Sequence, residues 1–121
     1  MTWTVEYDRV NDVVVVRTFG VLALPELRQA LDQAVGEAAA HGCDRFLCDD
    51  SQAAFALSTQ EMADYPKHYR TAGMPNNSRF AVVFPLATAQ TTLFQHAISG
   101  AGYAGRVCYT MDDAWRWLGQ Q

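Results

Sequence analysis

The sequence holds a single lysine, Lys67, and no basic run; its 9 lysines and arginines face 13 aspartates and glutamates, for a formal charge of −4. A phosphate-tracking surface needs clustered cationic side chains, so this balance argues against nucleic acid as a partner. No stretch approaches the roughly 18 apolar residues of a membrane helix. The opening Met1-Thr2-Trp3-Thr4-Val5-Glu6 has neither the basic nor the apolar region of an export signal. Together these absences predict a cytoplasmic chain with no membrane span. Cysteine is scarce too: Cys43, Cys48 and Cys108 are an odd number in a chain without an export signal, which argues for reduced thiols. Cys43 and Cys48 have four residues between them and no histidine nearby to complete a zinc set. They read as small buried hydrophobes, and neither metal nor cofactor is expected.

Catalytic signatures are also missing. There is no G-x-S-x-G elbow, and His41, His68 and His96 are dispersed, with no nucleophile at fixed spacing. The expectation is therefore a protein that is not an enzyme. What remains is an ordinary globular composition: 121 residues, 50% hydrophobic and 18% charged. A chain of that length buries about two-thirds of its extended surface and needs no disulfide or metal staple, which predicts one domain over residues 1–121.

Trp3, Val5 and Tyr7 alternate with Thr4, Glu6 and Asp8, the period of an edge strand with one wet face. After a turn at Asn11-Asp12, the apolar run from Val13 to Phe19 predicts a central strand paired to it as a hairpin. Leu24, Leu27, Leu31, Ala34, Val35 and Ala38 recur at helical spacing, with Pro25 and Glu26 at the start and His41-Gly42 at the stop. Phe46 to Cys48 predicts a short strand ending at Asp49-Asp50-Ser51, and Phe80 to Phe84 a doubly buried one. A helix follows, with Thr92, Gln95, His96 and Ser99 on its wet side; then come a strand over Val107 to Tyr109 and a helix from Met111 to Leu118. The alternation predicts an α/β fold: a mixed sheet with an N-terminal antiparallel hairpin followed by parallel β-α repeats.

Four motifs invite chemistry. Gly100 to Gly105 spells G-x-G-x-x-G, yet a helix precedes it and a strand follows, the reverse of a dinucleotide loop, so it reads as a connection. Ser58-Thr59-Gln60-Glu61 is a capping box at a helix start, and its hydroxyls are candidates for phosphorylation; Thr110 to Asp113 reads as a second box. Asp49-Asp50-Ser51 at a strand end reads as solvated loop charge, because neighbours in an extended chain point to opposite faces. Met62, Tyr65, Tyr69 and Met74 surround the helix-breaking Pro66; they read as core, or as a lid over an apolar pocket or a partner surface.

End to end, the chain resembles the SpoIIAA-like group of STAS domains, small bacterial domains also compared with the lipid-binding Sec14 fold. The resemblance lies in the hairpin ending at Gly20, the helix Pro25 to Gly42, Arg45-Phe46-Leu47-Cys48-Asp49, Arg79-Phe80-Ala81-Val82-Val83, and Arg106-Val107-Cys108-Tyr109 followed by Asp113-Ala114-Trp115-Arg116-Trp117-Leu118. In that family a helix-start serine in Asp-Ser-Ser-Gly is phosphorylated by a partner kinase. The aligned start here is Leu57-Ser58-Thr59-Gln60, which lacks the Asp and the Gly but offers Ser58 and Thr59 as a phospho-switch. The resemblance implies a non-catalytic regulatory or protein-interaction domain, with binding of a small apolar, lipid-like ligand as the alternative and an enzyme of unrecognised type as the second. Asp50, Ser51, Met62, Tyr65, Tyr69 and Met74 are the candidate ligand or partner surface, and the edge strand carrying Trp3 and Tyr7 implies a homodimer.

Overall fold

The computed structural model describes residues 2–119. Strands β1 (Trp3–Asp8) and β2 (Val13–Leu22) form the hairpin, and β3 (Arg45–Phe55), β4 (Arg79–Val83) and β5 (Ala104–Cys108) follow in parallel, in the spatial order β1-β2-β3-β4-β5. A right-handed crossover that always steps the same way along a sheet places its helix on the same face each time. Accordingly α1 (Leu24–His41), α2 (Thr59–Asp64), α3 (Lys67–Thr71) and α4 (Ala89–Gly100) share one face, and only α5 (Met111–Leu118) covers the other.

Two cores result. The four-helix side gathers Val14, Val16, Phe46, Phe80 and Val82 under α1 and α4. The other side is smaller, with Val13, Val15, Leu47, Ala81 and Val83 beneath Ala114 and Leu118. β2 opens with four successive buried valines because both of its faces are covered there. α5 is fastened at its C-terminus, where Arg79 Nε donates to the Trp117 carbonyl at 2.9 Å and the Arg45 guanidinium donates to that of Leu118. These cations meet orphan carbonyls at the negative end of the helix. The Arg79 guanidinium also stacks 3.6 Å from the Trp117 ring centroid.

The expected order of elements is the order found, and the differences have local causes. β3 continues to Phe55, through residues read as the end of a strand, because β2 runs alongside it as far as Leu22. β5 begins at Ala104 and closes before Tyr109. α4 starts earlier, where Thr88 caps the helix and exchanges hydrogen bonds with Thr91. Thr110 accepts from the Asp113 amide, but the Asp113 carboxylate turns to Arg116 at 2.9 Å, so that motif is half a box. Gln95, expected on the wet side of its helix, instead takes the Val107 N–H at 2.7 Å and gives an N–H to the Gly105 carbonyl at 3.0 Å. Its side-chain amide thus stands in for a strand on the outer edge of β5.

Gly102 adopts φ +87° at the helix-to-strand turn, in keeping with the reading of the glycine motif as a connection. Gly105 is glycine for a different reason. A Cβ there would lie 2.3 Å from the Phe80 ring and 2.7 Å from Ile98. Gly105→Ala is therefore expected to lose about 1–3 kcal/mol by overpacking, whereas Gly100→Ala, with open space around it, stays near the parent stability. Urea denaturation of the two variants, read side by side, checks this.

Candidate functional site

The site begins with a β-bulge. Arg17 pairs with Asp49 and Phe19 with Gln52, so β3 carries one residue more than β2 across this interval. The extra residue is accommodated by a local turn, in which the Asp49 carboxylate accepts from the Ser51 amide at 3.1 Å and the Ser51 hydroxyl at 2.6 Å. Phe46, Cys48 and Asp50 face the four-helix side, and past the bulge Ala53 and Phe55 do so again. The consequence corrects the sequence reading of Asp50 as solvated loop charge. It is a mid-strand residue, 5% exposed, with Thr18, itself 2% exposed, donating to its Oδ1 at 2.6 Å. Asp49 and Ser51 sit on the opposite face, as the alternation of a strand requires.

Asp50 faces a largely apolar cavity of about 60 Å³. Val16 and Val82 form part of its floor, Leu27 and Ala34 of α1 one wall, and Tyr65, Tyr69 and Met74 its roof. Burial away from water disfavours the charged form of Asp50, and the carboxylate of Asp49 adds to the effect against the Thr18 hydrogen bond; its carboxyl is pushed up to about 7. Burial likewise raises the Cys48 thiol and the Tyr69 hydroxyl. Cys48 is densely surrounded yet only half-buried by surface, because it fronts the cavity. The roof is held by hydrogen bonds from Tyr65 Oη to the Leu27 carbonyl at 3.1 Å and from Tyr103 Oη to the Met74 carbonyl at 2.9 Å. Tyr69 stands edge-on to Tyr65, Phe80 and Tyr103.

Of the residues picked out from sequence, the fold brings Asp50, Tyr65, Tyr69 and Met74 to one cavity. Met62 is buried beside them, against the outer groove described below. These are core side chains that roof a pocket, and they offer no surface to a protein. At about 60 Å³ the cavity has room for only a few heavy atoms. Ser51 lies across the sheet. Ser58 and Thr59 are exposed at the start of α2, and both halves of the capping box form: Ser58 Oγ accepts from the Glu61 amide at 3.0 Å and the Glu61 carboxylate from the Ser58 amide at 2.9 Å. The histidines stay apart. His41 stacks on Tyr7, His96 is exposed, and His68 packs edge-on to Tyr65, its pKa lowered by burial and by Arg28. Neither they nor Ser58 line the cavity that holds Asp50.

A second feature escaped the sequence reading. Among the described residues, the exposed large apolar side chains are Val10, Phe19, Val21, Leu86 and Tyr109, and all but Val10 lie late in, or just beyond, the parallel strands. α5 does not reach Phe19 and Val21, which sit on its face of the sheet at 41% and 67% exposure. Val21 pairs with the exposed Ala54, and a groove of about 300 Å³ runs from Ala54 past Met62 to Leu86. The chain leaves this end of β3 directly into the Ser58 helix start. The only sequence signal was that apolar Phe19 and Val21 alternate with Gly20 beyond the run that one helix can cover.

No protein-family model matches the chain, and no curated protein matches it in sequence. Among solved structures it is similar to the anti-sigma factor antagonist SpoIIAA in its unphosphorylated form, at TM-score 0.54 and 11% identity, covering 92% of this chain and 91% of that one. The SpoIIAA/STAS-like fold expected from the sequence is thus the fold found, with its hairpin, its parallel β-α repeats and its order of elements. No helix among the described residues is long and apolar enough to cross a membrane.

The buried carboxyl gives the fold a measurable pH dependence. Its folded pKa is raised, so the stability linked to Asp50 is fully present below the free aspartate value near 4 and is lost as pH rises through about 7. Wild type should therefore lose ground to Asp50→Asn by up to the order of 4 kcal/mol between pH 4 and pH 8. Urea midpoints of both proteins across that range measure it; parallel profiles would contradict the burial of an ionisable Asp50.

Proposed function

We propose that the protein is a non-catalytic regulatory domain that works by docking another protein at the carboxyl ends of its strands. The observation that carries this reading is exposed Phe19 and Val21 on the uncovered part of the sheet, with the open groove from Ala54 to Leu86 at the same end of the strands. Exposed apolar side chains that cluster, rather than scatter, are what a partner covers. Support also comes from the fold it shares with an anti-sigma factor antagonist.

Ser58 and Thr59, exposed at the start of α2 just after β3, supply the regulatory element of the proposal. A phosphate on Ser58 brings a second negative group against the Glu61 carboxylate within the capping box, so one of them must leave. α2 loses its cap, worth about 1 kcal/mol, and the docking surface changes both charge and shape. Cytoplasmic placement belongs to the same proposal, as does homodimerisation by pairing of β1 edges.

The protein as bait in lysate of its own source organism should enrich a partner. Val21→Glu, which adds charge to the exposed patch, should lower recovery at least tenfold, and Ser58→Glu should alter it. Arg116→Glu on exposed α5 should retain the partner. Equal recovery with Val21→Glu, or no enrichment over an empty matrix, would overturn the reading. Light scattering at micromolar concentration should give about twice the 13.4 kDa chain mass; a monomer mass would remove the dimer.

A further inference from the structure

We propose that the cavity beneath Tyr65, Tyr69 and Met74 is a binding site for a short-chain alcohol, with the ligand hydroxyl held between Asp50 and Tyr69. This site is separate from the docking surface above and stands on different observations.

The first is unspent hydrogen-bonding capacity. Asp50 Oδ1 takes the Thr18 hydrogen bond, while its second oxygen has no partner among the described residues. The Tyr69 hydroxyl has none either. Both residues are 5% exposed and both line the cavity. Polar groups this deep ordinarily find a partner, and the free space is what both residues line.

The second is the chemistry of the wall. No lysine, arginine or histidine lines the cavity, so a carboxylate or phosphate would meet the Asp50 carboxyl with nothing to balance it. An ammonium group donates only, and it would leave the Tyr69 proton without an acceptor. A hydroxyl donates to Asp50 and accepts from Tyr69 at once. Water does the same but leaves Val16, Leu27 and Val82 facing empty space, which an alkyl group fills.

The third is size. A cavity of roughly 150 Å³ holds benzene, so about 60 Å³ suits a molecule of about three heavy atoms, such as ethanol. So few atoms bind no tighter than roughly millimolar. Such a site responds to solvent-like concentrations of a small metabolite and does not capture a trace ligand.

Ethanol titrated into the full chain should shift the methyl NMR signals of Val16, Leu27 and Val82 and saturate in the millimolar range. Tyr69→Phe, which removes only the hydroxyl, and Asp50→Leu should each weaken ethanol at least threefold while xenon, a purely apolar probe, still binds both. Ala34→Leu should abolish both ligands by filling the space, and Val21→Glu, the docking variant, should leave ethanol unchanged. Should Asp50→Leu fail to fold, Tyr69→Phe carries the test alone. Shifts that stay linear in ethanol, equal binding to Tyr69→Phe, or xenon binding without ethanol binding would each overturn the proposal.

Discussion

Handedness is the constraint on which the rest of this molecule depends. With strands laid down in the order of the chain, every right-handed crossover must fall on the same side of the sheet. That side is crowded by four helices, and the other is left to eight residues of α5. The cavity lies on the crowded side, where α1, the broken α2–α3 pair and α4 meet over the same strands and Tyr65 and Tyr69 roof the space between them. The sparseness makes a surface, because α5 is anchored by Arg45 and Arg79 over one half of its face and leaves the half that carries Phe19 and Val21 bare. The two candidate regions are consequences of one topology.

The β3 bulge sets the chemistry of that topology. Without the extra residue after Asp49, the chain beyond it would change faces, and Ala53 and Phe55 would leave the core. With it, the strand can hold an acidic side chain at the back of an apolar wall and still continue correctly. Thr18, opposite the irregularity, satisfies half of the carboxyl. A buried acid so placed is poorly explained as a stabilising device, since an apolar residue of similar size would suit its surroundings better. Its presence points to use.

Much of the scaffold was legible in the residues. Four valines in a row, the helical spacing from Leu24 to Ala38 and the punctuation at Gly42 and Pro66 are local signals, and each element they implied is present. The Ser58 capping box was legible for the same reason: all its partners lie within four residues. What could not be read is what depends on register. Asp50 looked like loop charge because the strand beyond it has little pattern of its own and is held extended by β2. Gln95 looked solvent-facing because its partners, Gly105 and Val107, lie across a turn on the edge of another strand. Tyr65, Tyr69 and Met74 stood out as a cluster, but residue type alone does not reveal whether such side chains fill a space or only surround it.

The Gln95 side chain also bears on how far this molecule can assemble. A sheet grows by adding strands at its edges, and here two backbone groups of the β5 edge are already taken by the protein's own amide, while β1 is the other edge. At the β5 edge, the Gln95 amide thus takes the Val107 N–H and the Gly105 carbonyl that an added strand would need there.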